Sequence, residues 1–97
     1  MLNLSQIRIK NEQIKSEQRR IYRKIFKHLC STINMYAEMG KKFCLFKVPE
    51  FFFGEISYPF DECIEYLNNK INKLKEDKQI TDVSFYEPNV YFIKWKI

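Results

Sequence analysis

The sequence predicts an α+β fold, and three observations carry that prediction. Apolar residues recur at three- and four-residue spacing in two stretches, 12–39 and 59–75, the period of helices with one buried face. Short runs dense in aromatic and β-branched residues lie between and after them, as strands do. The order is helix, strand, helix, strand, strand. A small three-stranded sheet packed by two helices buries most of that apolar set.

Residues 1–12 are mixed. Leu2, Leu4, Ile7 and Ile9 suit either the start of a helix or contact with a partner, and Ser5 is the expected cap. From Glu12 to Met39 the pattern is helical, with Tyr22, Ile25, Phe26, Leu29, Ile33 and Tyr36 forming one stripe. Arg19, Arg20, Arg23, Lys24 and Lys27 take the sides and back of that stripe. Gly40 is placed to end the helix, because only glycine enters the left-handed conformation cheaply. Residues 1–18 read as an arm or helix extension and 19–97 as one domain. Whether the first helix joins the helical layer or projects as a basic arm stays open.

Phe43 to Val48 reads as a strand with most of both faces covered, stopped by Pro49. Phe51, Phe52 and Phe53 follow in a loop or single helical turn. Three successive Phe cannot all point inward from one surface, so this run is a candidate protein interface as well as a candidate core lid. Pro59 suits the first turn of the second helix, where Asp61 and Glu62 complement the helix dipole. Phe60, Cys63, Ile64, Leu67, Ile71 and Leu74 make its apolar face. Residues 83–87 and 90–96 form a hairpin around Pro88 and Asn89. Pro-Asn is not a favoured two-residue turn, so a wider one is expected. Alternation puts Tyr91, Ile93 and Trp95 on one face and Val90, Phe92, Lys94 and Lys96 on the other.

Charge divides the chain. The first 42 residues carry ten Lys or Arg and three Glu; the remaining 55 carry seven basic and nine acidic residues. A basic helix joined to a mildly acidic aromatic module suggests attachment to an anionic surface, whether nucleic acid, an acidic protein face or anionic lipid. No acid stands between Glu17 and Glu38, so helical Glu–Lys pairing is missing there. Two readings of Arg19, Arg20, Arg23, Lys24 and Lys27 stay open: a solvated helix back, and contact with an anionic partner.

Catalytic and metal chemistry find little support. Cys30, Cys44 and Cys63 are widely spaced without a CxxC pair, and His28 is the only histidine, so no zinc site or cofactor is expected. A nucleophile with a base and an orienting acid is not assembled locally, and an enzyme is not expected. Gly40 and Gly54 are isolated, which excludes a Gly-rich phosphate loop. Free cysteines suggest a reducing compartment. No apolar run approaches the ~20 residues of a membrane span, and residues 1–10 do not read as a secretory signal. The element order also matches a winged helix, but Asp61, Glu62 and Glu65 at the start of the reading helix would repel phosphates.

The run from Tyr36 to Phe51 (YAEMGKKFCLFKVPEF), then Gly54, Tyr58, Cys63, Tyr66 and Leu67, then Val83, Phe85 and the segment 88–95 resembles a family of small uncharacterised proteins of nucleocytoplasmic large DNA viruses. The resemblance spans about residues 19–95 and implies a viral protein made in the infected cell's cytoplasm, without a known activity. Large DNA viruses build shells from many small accessory proteins, so the expectation is a minor capsid or other virion component whose partners are capsid or core proteins. The alternative is a nucleic-acid-binding accessory protein acting through the first helix. Self-association is left open.

Overall fold

The computed structural model describes residues 3–52 and 54–96. Two helices and three strands follow in the order α1 (Leu4–Glu38), β1 (Phe43–Lys47), α2 (Phe60–Glu76), β2 (Asp82–Tyr86) and β3 (Val90–Lys94). This is the expected α+β arrangement, with a three-stranded antiparallel sheet in the order β1-β3-β2.

α1 is one continuous helix of 35 residues, about 52 Å at 1.5 Å per residue, and it sets the 61 Å long axis of the molecule. It starts earlier than the apolar stripe does. Asn3, not Ser5, is the N-cap, and its side chain makes no capping hydrogen bond. Ile21, Tyr22, Ile25 and Leu29 are buried, while every residue from 3 to 17 is exposed. Ile21 was not part of the expected stripe; it joins through its four-residue spacing to Ile25.

Both helices end by the same device. Gly40, at φ +81°, lets its own N–H reach Ala37 O and lets Lys41 N–H reach Tyr36 O, capping two orphan carbonyls. At the end of α2, Lys78 takes the glycine role at φ +61°, with Lys78 N–H on Lys75 O and Gln79 N–H on Leu74 O. Pro59 is the N-cap of α2 and not its first helical residue, with Asp61 and Glu62 in the first turn as expected.

β3 lies in the centre of the sheet. It pairs with β1 from Phe43↔Lys94 to Lys47↔Val90 and with β2 from Asp82↔Lys94 to Tyr86↔Val90, so three residues, Glu87 to Asn89, form the hairpin turn. Asn89 is buried and ties this turn to the end of β1: its Nδ2 donates to Val48 O at 3.1 Å, and Val48 N–H donates to Asn89 O at 2.8 Å. At the other end Trp95 N–H donates to Lys42 O and its indole Nε1 to Lys41 O, both at 3.0 Å.

Both helices pack on one face of the sheet. Cys44, Phe46, Tyr91, Ile93 and Trp95 meet Ile21, Tyr22, Ile25, Leu29, Cys63, Leu67 and Ile71 in a single core, and Tyr91 Oη donates to Asn68 Oδ1. The expected alternation of β3 holds. The expectation for β1 does not: only Cys44 and Phe46 are covered, and the opposite face of the strand is open. The reason lies in the layering, since α1 and α2 share one side and leave no element for the other.

Candidate interaction surfaces

The structure sorts the five basic candidates of α1 into two sets. Arg20 and Lys24, one turn apart, meet a carboxylate that comes from the loop between β1 and α2. Glu55 Oε2 lies 2.8 Å from Arg20 Nη2, and Glu55 Oε1 lies 3.1 Å from Lys24 Nζ. Arg20 also reaches Glu17 Oε2 at 3.1 Å. The hydrogen bond from Lys24 is the largest effect holding the Glu55 carboxyl below its ordinary value, and those from Glu17 and Glu55 raise the Arg20 guanidinium. The absence of acids between Glu17 and Glu38 therefore did not leave Arg20 and Lys24 unpaired. Their counter-charges sit three residues before Arg20 and, across space, on Glu55.

Arg19, Arg23 and Lys27 form the second set, spaced four residues apart and exposed, with no ion pair among the described residues. Their row has a mixed border. Arg19 and Lys15 line a groove whose other wall is Glu62 and Glu65 of α2. Positive charge without carboxylates beside it is thus concentrated at Arg23 and Lys27.

The Phe run is divided as well. Phe51 is 70% exposed beside a shallow depression formed by Lys47, Val48, Pro49 and Asn89. Phe52 is half-buried against the core, with Lys24 Nζ 5.6 Å from its ring centroid. Phe53 lies outside the described residues.

A further surface was not foreseen. The uncovered face of the sheet is a three-by-three grid: Phe43, Leu45 and Lys47 on β1, Lys94, Phe92 and Val90 on β3, Asp82, Ser84 and Tyr86 on β2. Leu45 is 59%, Tyr86 56% and Phe43 49% exposed. Phe43 packs on Phe92 with ring centroids 5.5 Å apart, and Lys94 Nζ stands 5.6 Å from the Phe92 centroid. Five of the nine side chains are apolar, and the charges, Lys47, Lys94 and Asp82, stand at corners or along one end row. Apolar centre and polar border are the features of a protein interface. The signal that would have found it is Lys47. A lysine in register with Phe43 and Leu45 marks their side of the strand as the one facing out.

The thiols and the imidazole do not converge. Burial raises the Cys30 and Cys44 thiols and pushes that of Cys63 up to about 12, so all three are protonated at neutral pH. Burial, followed by the charge of Glu62, takes the Tyr22 phenol to about 12, and its Oη donates to Glu62 Oε2 at 3.4 Å. His28 packs on Phe46 with ring centroids 5.5 Å apart. Among the described residues no group of three or more His, Cys, Asp or Glu side chains is arranged to hold a metal ion. No described helix is long and apolar enough to cross a membrane.

A model of a family of unknown function, DUF5759, matches residues 2–72, which takes in all of α1, β1, the loop and most of α2. An uncharacterised protein of Acanthamoeba polyphaga mimivirus, R447, is 34% identical over 96 residues, covering 99% of this chain and 77% of the relative. The relative is a giant-virus protein, in agreement with the resemblance read from the sequence. No solved structure matches the chain.

Proposed function

The chain belongs to DUF5759, a family of unknown function, and from that premise we propose a structural role: a virion component of a large DNA virus, most specifically a minor capsid protein. One observation carries the reading. The sheet has no second covering layer among the described residues, and its outer face presents Phe43, Leu45, Tyr86, Val90 and Phe92 with charges at the margin. A small domain that has spent its two helices on one side gains by seating the other side on a larger neighbour, and burial of a large aliphatic or aromatic side chain contributes about 1.5–3 kcal/mol. A capsid or core protein of the same virus is the occupant this reading requires. Phe51, exposed next to the sheet's Lys47 corner, extends the same surface.

Virions carrying the wild-type chain, or Leu45→Lys, are purified, separated into shell and genome fractions, and measured by mass spectrometry. Recovery of the wild type with the shell, and loss of the variant, is expected. Absence of the wild type from virions, or recovery only with the genome, overturns the structural reading.

A second reading, a nucleic-acid-binding accessory protein, is favoured by Arg23 and Lys27, exposed and one turn apart without carboxylates beside them. Asp61 and Glu62 in the first turn of α2 speak against base reading of the winged-helix kind and leave non-specific phosphate contact. Affinity for duplex DNA that falls steeply with salt and is lost in Arg23→Glu with Lys27→Glu would support it; salt-insensitive or absent binding removes it.

A further inference from the structure

The stripe that packs the core does not stop where the core stops. At about 100° per residue, Leu4, Ile7, Asn11, Ile14 and Gln18 fall within the same sector of about 100° as Ile21, Tyr22, Ile25 and Leu29. From Ile21 onward that sector is buried; from Leu4 to Ile14 it is open to solvent, and a shallow groove along it is lined by Leu4, Ile7, Arg8, Asn11, Glu12 and Lys15. The spacing Leu4, Ile7, Asn11, Ile14, Gln18 is that of a two-heptad seam with Asn11 polar in its middle and Gln18, which donates to Ser57 O at 3.3 Å, at its junction with the body.

We propose that residues 4–18 of α1 are the docking site for an acidic amphipathic helix of another protein. Charge chooses this occupant. The positions flanking the seam are Arg8, Lys10, Lys15 and Glu17, and Glu17 is already paired with Arg20 at 3.1 Å. At these flanking positions three cations stand against one acid; Glu12 lies one position further out on the Arg8 side, and Glu62 and Glu65 of α2 face only Lys15, so Arg8 and Lys10 offer an incoming helix a cation on each side. The helix N-terminus adds to this, since the first turn carries no acid and its Asn3 cap makes no side-chain hydrogen bond. A second copy of the chain fits less well. A parallel copy laid on the seam would run its own body into this one, because the body occupies the same sector from Ile21 on. An antiparallel copy seating Leu4 on Ile14 sets Arg8 and Lys10 against the same two cations of its mate. Asn11 gives register: a partner with an amide or hydroxyl at that level satisfies it, and a shifted one leaves it unpaired.

The test uses the full chain and a synthetic amphipathic peptide long enough to cover residues 4–18, with Leu along its seam, one Asn, and Glu on its flanks. Fluorescence anisotropy should report binding that weakens with salt. Ile7→Ser with Ile14→Ser should weaken it about tenfold or more, since each substitution forfeits the burial of one aliphatic side chain. Thermal unfolding of the double variant should stay unchanged, which shows that the body is intact. A peptide of the same seam with Lys flanks should fail to bind. Equal binding of both peptides, or of neither, overturns the proposal. So does a wild-type dimer in sedimentation that the double variant dissolves, which would assign the seam to a second copy, or binding confined to phosphatidylserine vesicles, which would assign it to lipid. The sheet-face reading fails separately, because Leu45→Lys leaves this seam untouched and Ile7→Ser with Ile14→Ser leaves the sheet untouched.

Discussion

The two halves of α1 share one backbone, one phase and one apolar stripe, yet they live in different environments. From Ile21 to Tyr36 the stripe is roofed by β1, the loop and α2; from Leu4 to Ile14 nothing described touches it. Local sequence decides which side of a helix is apolar, and tertiary structure decides whether that side is covered. An isolated helix shorter than about 12–15 residues is marginal in water. The front half, 14 residues from 4 to 17, is held instead by growing out of the docked half, whose packing has already borne the cost of nucleation.

The largest test of this contrast is a matched pair of truncations. Leu29→Ala should cost about 2–5 kcal/mol in urea unfolding, as expected for a fully buried leucine. Ile14→Ala, on the same face of the same helix, should stay within about 0.5 kcal/mol. Equal losses would break the comparison by revealing that the front half is covered in solution.

Hydrogen exchange sharpens it next. Amides of residues 25–33 should exchange only through global unfolding and those of 8–17 through local opening, separated by most of the unfolding free energy. Gln6→Glu adds the acid that the first turn of α1 lacks. It should slow exchange at 7–12 by an amount corresponding to about 0.3–1 kcal/mol and leave global unfolding where it was.

The smallest effect sits at the boundary between the halves. Glu55, bound to Arg20 and Lys24, titrates below its ordinary value of 4.5 when folded. Folding thus favours its ionised form. The clamp contributes above that ordinary value and is lost as pH falls through the lower folded one. Glu55→Gln should flatten this acidic limb of the stability profile, and added salt should mimic the variant, as surface pairs are screened.

Periodic features were legible in the sequence because they are local. The stripe through Tyr22, Ile25 and Leu29 and the alternation of Tyr91, Ile93 and Trp95 follow from repeats of 3.6 and 2 residues. What was not legible depends on residues far apart in the chain. Glu55 stands 35 positions from Arg20, and no spacing announces that they meet. The open face of β1 was misread because Phe43 and Leu45 are as apolar as Cys44 and Phe46; only the placement of both helices on one side separates them. The basic residues of α1 were visible as candidates, but which of them keep a free charge is a property of the folded loop. The sheet face and the seam at residues 4–18 emerged from seeing where coverage ends.

The sheet order β1-β3-β2 also has a consequence in time. β1 and β2 make their ladders with β3 alone, and β3 follows both in the chain. During synthesis neither edge strand has a ladder partner until Val90–Lys94 leaves the ribosome. α1, made first, meets the cell's contents with its whole stripe uncovered. β3 therefore acts as a completion signal for the sheet. A chain ending before Val90 would yield not a smaller version of this domain but two helices with unpaired strands.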